Sequence, residues 1–239
     1  MSTLEPPFAR GLELLTTADL DVVGRVAEST NLTLVVEFGD GDDYHWAIYK
    51  PEVGERPLHD FDPGLHAREL AAFELSEWLG WHLVPPTVVR ADAPLGIGSV
   101  QWFVENDGEH YFTLLQERPE TYDALRRLAV FDIVAHNTDR KGGHVLRDGS
   151  GVLWGIDHGL CFGSHARLRT VIWDFAGEAV PDDLLADIEP LADEVPDAVA
   201  RLLLPRENAQ LRRRVRQLLR MGEFPYPPDS YYAYPWPPV

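Results

Sequence analysis

The sequence predicts an α+β fold of two lobes: an N-terminal lobe built on an antiparallel sheet with one main helix, then a mostly helical C-terminal lobe. Three observations predict it. Strand-like runs crowd the first hundred residues. Apolar residues recur at helical spacing in one segment of that half and in most of the chain beyond Tyr122. The 239 residues, 45% hydrophobic and 25% charged, suffice for one large or two small domains. In order, residues 25–51 read as a hairpin, with the run Leu32, Leu34, Val35, Val36 and Phe38, a turn over residues 39–43, and alternation from Tyr44 to Tyr49. Lys50 therefore ends a strand. After a loop with Gly54, Pro57, Pro63 and Gly64, the spacing of Leu65, Leu70, Phe73, Leu75, Trp78 and Leu79 predicts a helix that Gly80 stops. Residues 86–90 and 98–104 read as strands, and Asn106, Asp107 and Gly108 as a turn. A second helix runs from Tyr122 through Leu125, Leu128, Phe131 and Val134 to a polar loop over residues 136–144, after which a short buried strand over 152–156 delivers Asp157 to a turn at Gly159. Residues 181–203 and 207–221 read as amphipathic helices, the second exposing Arg212, Arg213, Arg214, Arg216 and Arg220. The last sixteen residues hold six prolines and six aromatics, which forbids helix and favours an extended strap. Trp78, Trp81, Trp154 and Trp173 stand at apolar positions and are assigned to the core.

Thirty-nine acidic against 21 basic residues give a net charge of −18. Such a field repels phosphate backbones and anionic lipid surfaces, which argues against nucleic acid as partner and against stable membrane association. Any phosphate must be held by a few placed cations, amides or metals. The single cysteine, Cys161, excludes an internal disulfide framework, reads as a small core residue and fits a reducing compartment. With no charged leader ahead of a long apolar run, the protein is assigned to the cytoplasm. Arginine outnumbers lysine nineteen to two. The two lysines, Lys50 and Lys141, stand where a compact ammonium does what a planar guanidinium does not.

Three pieces carry chemistry together: Lys50 with Glu69 on the next helix, the polar loop from His136 to His144, and Asp157 behind an apolar strand. An aspartate in an apolar run is costly unless ligated or hydrogen-bonded, and a polar loop of this density marks a site. Phosphoryl transfer needs a cation on the phosphates steadied by a carboxylate, a carboxylate near the acceptor hydroxyl, and ligands for a bridging metal. The kinase plan supplies these as a strand lysine, a helix glutamate, a catalytic aspartate with a metal ligand five residues on, and a later aspartate at a strand end. This chain holds the same roles in the same order, with His144 five residues after Asp139.

On these residues the chain resembles the atypical kinases of the phosphatidylinositol 3/4-kinase-like group, which includes the bacterial HipA kinases. It is most similar to the type II phosphatidylinositol 4-kinases, within a small actinobacterial branch. The matching stretches are Tyr49, Lys50, Pro51; Arg68, Glu69, Ala71, Ala72, Phe73; residues 98–105; Phe131, Asp132, Ile133 with Asn137, Thr138, Asp139, Arg140; and Ile156, Asp157, His158, Gly159, Leu160, Phe162. The resemblance implies a two-lobed protein-kinase-like fold, with residues 1–105 as the N-lobe ending at the hinge, 106–223 as the C-lobe and 224–239 as the strap. It implies ATP as cofactor, Lys50 on the phosphates held by Glu69, and Gln101, Trp102, Phe103, Val104 and Glu105 as the hinge that meets adenine. Asp139 would orient or accept the acceptor's proton, and Asp157 would bind Mg²⁺ or Mn²⁺. Ser29, Thr30 and Asn31 stand where the family places a phosphate-binding loop, and Lys141 is read as neutralising the transferred group. His144 occupies the place of a metal-binding asparagine, and imidazole suits Mn²⁺ better than Mg²⁺. Lipid kinases need a basic or acylated surface, so a soluble protein or small molecule is the expected acceptor. Two other readings compete: a degraded kinase that only binds nucleotide or a partner, and a metal-dependent hydrolase on His136, His144, Asp157 and His158. Transfer of AMP in place of phosphate fits the same residues.

Overall fold

The computed structural model describes residues 6–27, 29–40, 43–164, 167–229 and 231–239. Helix α1 (Pro6–Thr17) is not foreseen in the sequence. It lays Leu15 against one face of a five-stranded sheet, where Leu34, Val36, Phe38, Ala47, Tyr49 and Val100 form a core of their own. The N-terminal lobe thus carries a second helix besides the single one expected.

The sheet contains β1 (Asp21–Arg25), β2 (Leu34–Asp40), β3 (Asp43–Pro51), β4 (Thr87–Arg90) and β5 (Gly98–Trp102), in the order β1-β2-β3-β5-β4, every neighbouring pair antiparallel. Side chains alternate faces along a strand. Tyr49 and Ala47 face α1, and Lys50, Ile48 and Trp46 take the other face. Pairing of Lys50 with Ser99 brings β5 close: a Cβ at Gly98 would lie 2.4 Å from the Lys50 carbonyl oxygen, so only glycine fits.

Helix α2 (Leu65–Trp78) starts after Gly64, whose φ of 95° turns the chain into it. Its inner stripe includes Leu65, Arg68, Glu69, Ala72, Phe73 and Ser76. Trp78 falls on the opposite side and is 44% exposed, which corrects its assignment to the core. Phe73, Leu75 and Trp81 pack with Leu125, Leu128 and Phe131 of the second lobe, each contributing about 1.5–3 kcal/mol of burial. Arg68 donates to Glu207 at 2.6 Å in a buried bond, and just past the helix Trp81 Nε1 donates to Asp187 at 2.8 Å in a half-buried one, so α2 and the turn after it are fixed to the C-terminal lobe by polar bonds as well. Glu207→Gln removes the charge facing Arg68 but keeps an acceptor. Its expected cost is about 1–3 kcal/mol, read by denaturant unfolding.

The C-terminal lobe comprises α3 (Tyr111–Glu117), α4 (Tyr122–Ala135), the hairpin of β6 (Val145–Arg147) with β7 (Leu153–Gly155), α5 (Asp182–Ile188), α6 (Asp197–Ala200) and α7 (Pro205–Met221). The helix expected over 181–203 is broken: Pro190 falls in the tight turn Glu189–Ala192, and Pro196 precedes α6. Proline lacks the N–H a continuous helix needs. Arg214 does not join the solvated arginine face of α7; its Nε donates to the Val134 carbonyl at 3.0 Å, and burial pushes the guanidinium down to about 10. The strap is extended, with one turn at Tyr231–Ala233. Among the described residues no helix is long and apolar enough to cross a membrane.

Candidate active site

Lys50 emerges from the end of β3 and meets two carboxylates brought from distant parts of the chain. Its Nζ lies 2.5 Å from Glu69 Oε1 and 2.7 Å from Asp157 Oδ1. The second oxygen of Glu69 accepts the His158 N–H at 2.9 Å. A carboxylate only 3% exposed therefore locks the lysine to the turn that carries Asp157. Burial alone would discharge Lys50, but Asp157 and Glu69 outweigh it and hold the ammonium above its ordinary range. Asp157 is half exposed, and the loss of part of its water would raise it, yet Lys50 and then His144 keep it well below the usual carboxylate range.

The backbone here is bent into unusual conformations. Asp157 has φ of 60°, His136 at the end of α4 has 56°, and Phe162 has 64°. Strained φ gathers where a fold places functional groups, and aspartate is among the few residues that tolerate it.

One buried guanidinium ties the two halves of the site. Arg140, 0% exposed, donates through Nε and Nη2 to Asp132, also 0% exposed, at 2.9 Å each. Its Nη1 donates to the carbonyls of His144 at 3.1 Å and Ile156 at 2.8 Å. Its Nη2 also meets His158 Nε2 at 2.8 Å. The Ile156 N–H closes the arrangement on the His144 carbonyl at 3.0 Å. Arg140 is thus paired with Asp132 and holds the carbonyl of His144 and the one just before Asp157. Asn137 Oδ1 accepts the Asp139 N–H at 2.9 Å and fixes the loop further.

Asp139 stands at the rim, its Oδ2 3.4 Å from Lys141 Nζ. Burial raises its carboxyl against the pull of Lys141, and the charge of Asp157 adds to the rise. His144 Nε2 lies 3.3 Å from Asp157 Oδ2. Burial pushes its imidazole down to about 4, so it is neutral near pH 7; its Nδ1 accepts the Lys141 N–H at 3.5 Å, which leaves the proton on Nε2 towards Asp157, to be displaced when a metal takes that nitrogen. One nitrogen and one carboxylate oxygen converge there, a donor pair that fits a divalent cation. Among the described residues no three His, Cys, Asp or Glu side chains gather to hold a metal, so further ligands must come from a bound anion and water. The four-residue site that a hydrolase requires is not assembled, because His158 is turned to Arg140.

The hinge residues divide. Trp102 lies opposite Ala47, so its ring packs on Phe38 and His45, on the sheet face away from Lys50. Gln101 is buried, its Nε2 donating to Thr87 Oγ1 at 2.9 Å. Trp102 nonetheless joins Phe103, Val104 and Glu105 in lining a cavity of about 500 Å³ with Trp46 and Trp154, beside the hinge and short of Lys50 and Asp157. Ser29 shares a hydrogen bond with Thr33 at 2.7 Å, Asn31 Oδ1 accepts the Arg56 N–H at 3.0 Å, and Thr30 is exposed. Lys50, Glu69, Asp139, Lys141, His144 and Asp157 are therefore joined through direct pairs or the loops Arg140 holds, whereas no such contact ties Ser29, Thr30, Asn31 or Gln101 to them. The role of Asp132 is missed by sequence reasoning. Its signal is an acid in the otherwise apolar last two turns of α4, among Phe131, Ile133 and Val134.

A strand lysine clamped to a helix glutamate, a loop aspartate and a second aspartate after a short strand, between a sheet lobe and a helical lobe, define a kinase-like domain. The chain belongs to the phosphatidylinositol 3- and 4-kinase family, whose model matches residues 81–213, more than half of the chain. That stretch includes Asp139 and Asp157 but not Lys50 and Glu69, which the sequence pattern and the geometry add. "Protein Rv2133c" of Mycobacterium tuberculosis is 37% identical over 262 aligned residues, covering 94% of each chain. Hydra Fam20, solved with sugar, shares the fold with a TM-score of 0.58 at 14% identity, over 92% of this chain and 90% of that one. The Golgi casein kinase, solved with Mn and ADP bound, gives 0.53 at 15%, over 89% and 74%.

Proposed function

We propose that the protein is an ATP-dependent phosphotransferase that moves the γ-phosphate to a hydroxyl of a soluble acceptor, in a bacterial branch of its family. The observation that carries this reading is Lys50 Nζ held between Glu69 at 2.5 Å and Asp157 at 2.7 Å. That arrangement presents a fixed ammonium to phosphate oxygens beside a carboxylate that stays ionised. Asp157 and His144 would hold Mg²⁺ or Mn²⁺, which when bound neutralises charge on the phosphates. The manganese and ADP in the Golgi casein kinase support that choice. Phe103, Val104 and Glu105 offer backbone and apolar surface to adenine. Asp139, its carboxyl raised, is suited to take the proton of an acceptor hydroxyl, and Lys141 to steady the transferred group. The net charge of −18 favours a soluble acceptor over an anionic membrane, and a cytoplasmic setting accords with the lone cysteine.

The test is a thermal melt with ATP and Mg²⁺ or Mn²⁺, alongside ATP hydrolysis. Binding at about 100 times Kd adds roughly 2.7 kcal/mol, a rise of about 5–11 °C for a chain of this length. Asp139→Asn is expected to keep that rise and lose about 10²–10⁴-fold in turnover, the share of a general base. No rise with either metal would refute the reading. Because imidazole is the softer donor, His144→Asn is expected to shift preference toward Mg²⁺, seen as a larger Mg²⁺-dependent rise relative to Mn²⁺.

A further inference from the structure

The strap runs beside the segment that leaves the site and then returns to the catalytic loop. The Gly177 N–H donates to the Phe224 carbonyl at 2.9 Å, and Phe224 N–H to Glu178 at 2.9 Å. Further on, the Ala233 carbonyl accepts the Thr170 N–H at 3.3 Å and Trp173 Nε1 at 3.2 Å. The segment it covers is itself bonded to the loop, Arg140 N–H to Arg169 at 3.0 Å and Val171 N–H to Arg140 at 3.0 Å. At its end, the Pro238 carbonyl accepts the Gly142 N–H at 2.7 Å.

Gly142 opens the single turn Gly142–His144, directly after Lys141. It is pinched from both sides: a Cβ there would lie 3.0 Å from the Phe112 ring and 3.4 Å from the Pro238 oxygen. The strap is anchored at its start by Phe224, 3% exposed and packed on Phe175, whereas towards its end Trp236 is 76% exposed and Ala233 is buried, at 1%. Backbone bonds and a small residue hold this distal part, so its last bond bears directly on the catalytic turn.

We propose that the C-terminal strap is a positioning element of the transfer step: the Pro238 carbonyl fixes the turn that sets Lys141 and His144 beside Asp139 and Asp157. The effect on turnover rests on the phosphotransferase reading, whereas the mechanical coupling does not. The test compares the full chain with one lacking residues 236–239, by amide hydrogen exchange, ATP hydrolysis and melting temperature. Exchange at Gly142, Gly143 and His144 is expected to quicken at least tenfold while the amides of α4 and α7 hold. Hydrolysis is expected to lose at least tenfold in kcat, with KM for ATP within threefold. A synthetic peptide covering residues 234–239, added at millimolar concentration, is expected to recover part of both, which a merely structural loss would not allow. Unchanged exchange at the turn, or quickened exchange with unchanged kcat, overturns the proposal. If the full chain shows neither an ATP- and metal-dependent rise in melting temperature nor ATP hydrolysis, the phosphotransferase reading fails and the turn's exchange still decides the coupling. Should the shortened chain unfold, G142A replaces it: the added methyl presses on Phe112 and Pro238, and faster exchange confined to this turn is the expected result, with no change counting against the latch.

Discussion

Replacing Asp157 by asparagine is expected to abolish the stabilisation that ATP with Mn²⁺ or Mg²⁺ confers, and to lower phosphotransfer at least about a thousandfold, the several kcal/mol a metal supplies at a phosphoryl group. Asparagine is the informative choice because residue 157 sits at φ of 60°, a conformation asparagine tolerates and alanine resists. Charge is then removed with little change of shape. The apo fold is expected to hold, since the Asp157 side chain is 47% exposed and Lys50 keeps Glu69 at 2.5 Å. Two melts separate the effects: without ligand the variant should unfold near the wild type, and with ATP and metal only the wild type should rise. A ligand-dependent rise retained in the variant would place the metal elsewhere and remove Asp157 from the centre of the mechanism.

The residues at the centre of the site are legible in the sequence because each is a charge the local pattern cannot explain: a lysine ending an apolar strand, a glutamate on the buried stripe of a helix, an aspartate behind a short apolar run. Their order along the chain is legible too. What the sequence does not display is pairing. Arg140 stands next to Asp139, yet its counter-ion is Asp132, on the preceding helix and reached only because His136 bends the chain with φ of 56°. Side-chain facing at the hinge depends on register: Trp102 turns away from Lys50 because Ala47, not Lys50, stands opposite it. Helix α1 escapes because Pro6, Pro7 and Gly11 weaken its local signal, and its stability comes from the sheet it covers. The strap is legible as extended, but its destination at Gly142 depends on tertiary bonds that composition does not encode.

Asp132→Asn is expected to cost about 3–5 kcal/mol, the penalty for leaving a buried charge without its partner, and to lower the melting midpoint by about 6–20 °C at this chain length. Arg140 cannot escape to water, being 0% exposed, and cannot shed its proton. The same change should weaken the nucleotide-dependent rise, because the guanidinium that Asp132 orients is the one that holds the His144 and Ile156 carbonyls. Thermal melts with and without ATP and metal measure both. A double variant, Asp132→Leu with Arg140→Met, separates structure from function. Replacing a buried ion pair by apolar groups of similar volume is often nearly neutral for stability. Such a chain should therefore recover much of the lost melting temperature, yet with the guanidinium gone from those two carbonyls it should not recover the ligand-dependent rise. Full recovery of both would mean that the Ile156 N–H bond to the His144 carbonyl holds the two candidate metal ligands in register by itself. A loss below about 1 kcal/mol in the single variant would instead mean that the pair is solvated, since exposed ion pairs contribute no more than that.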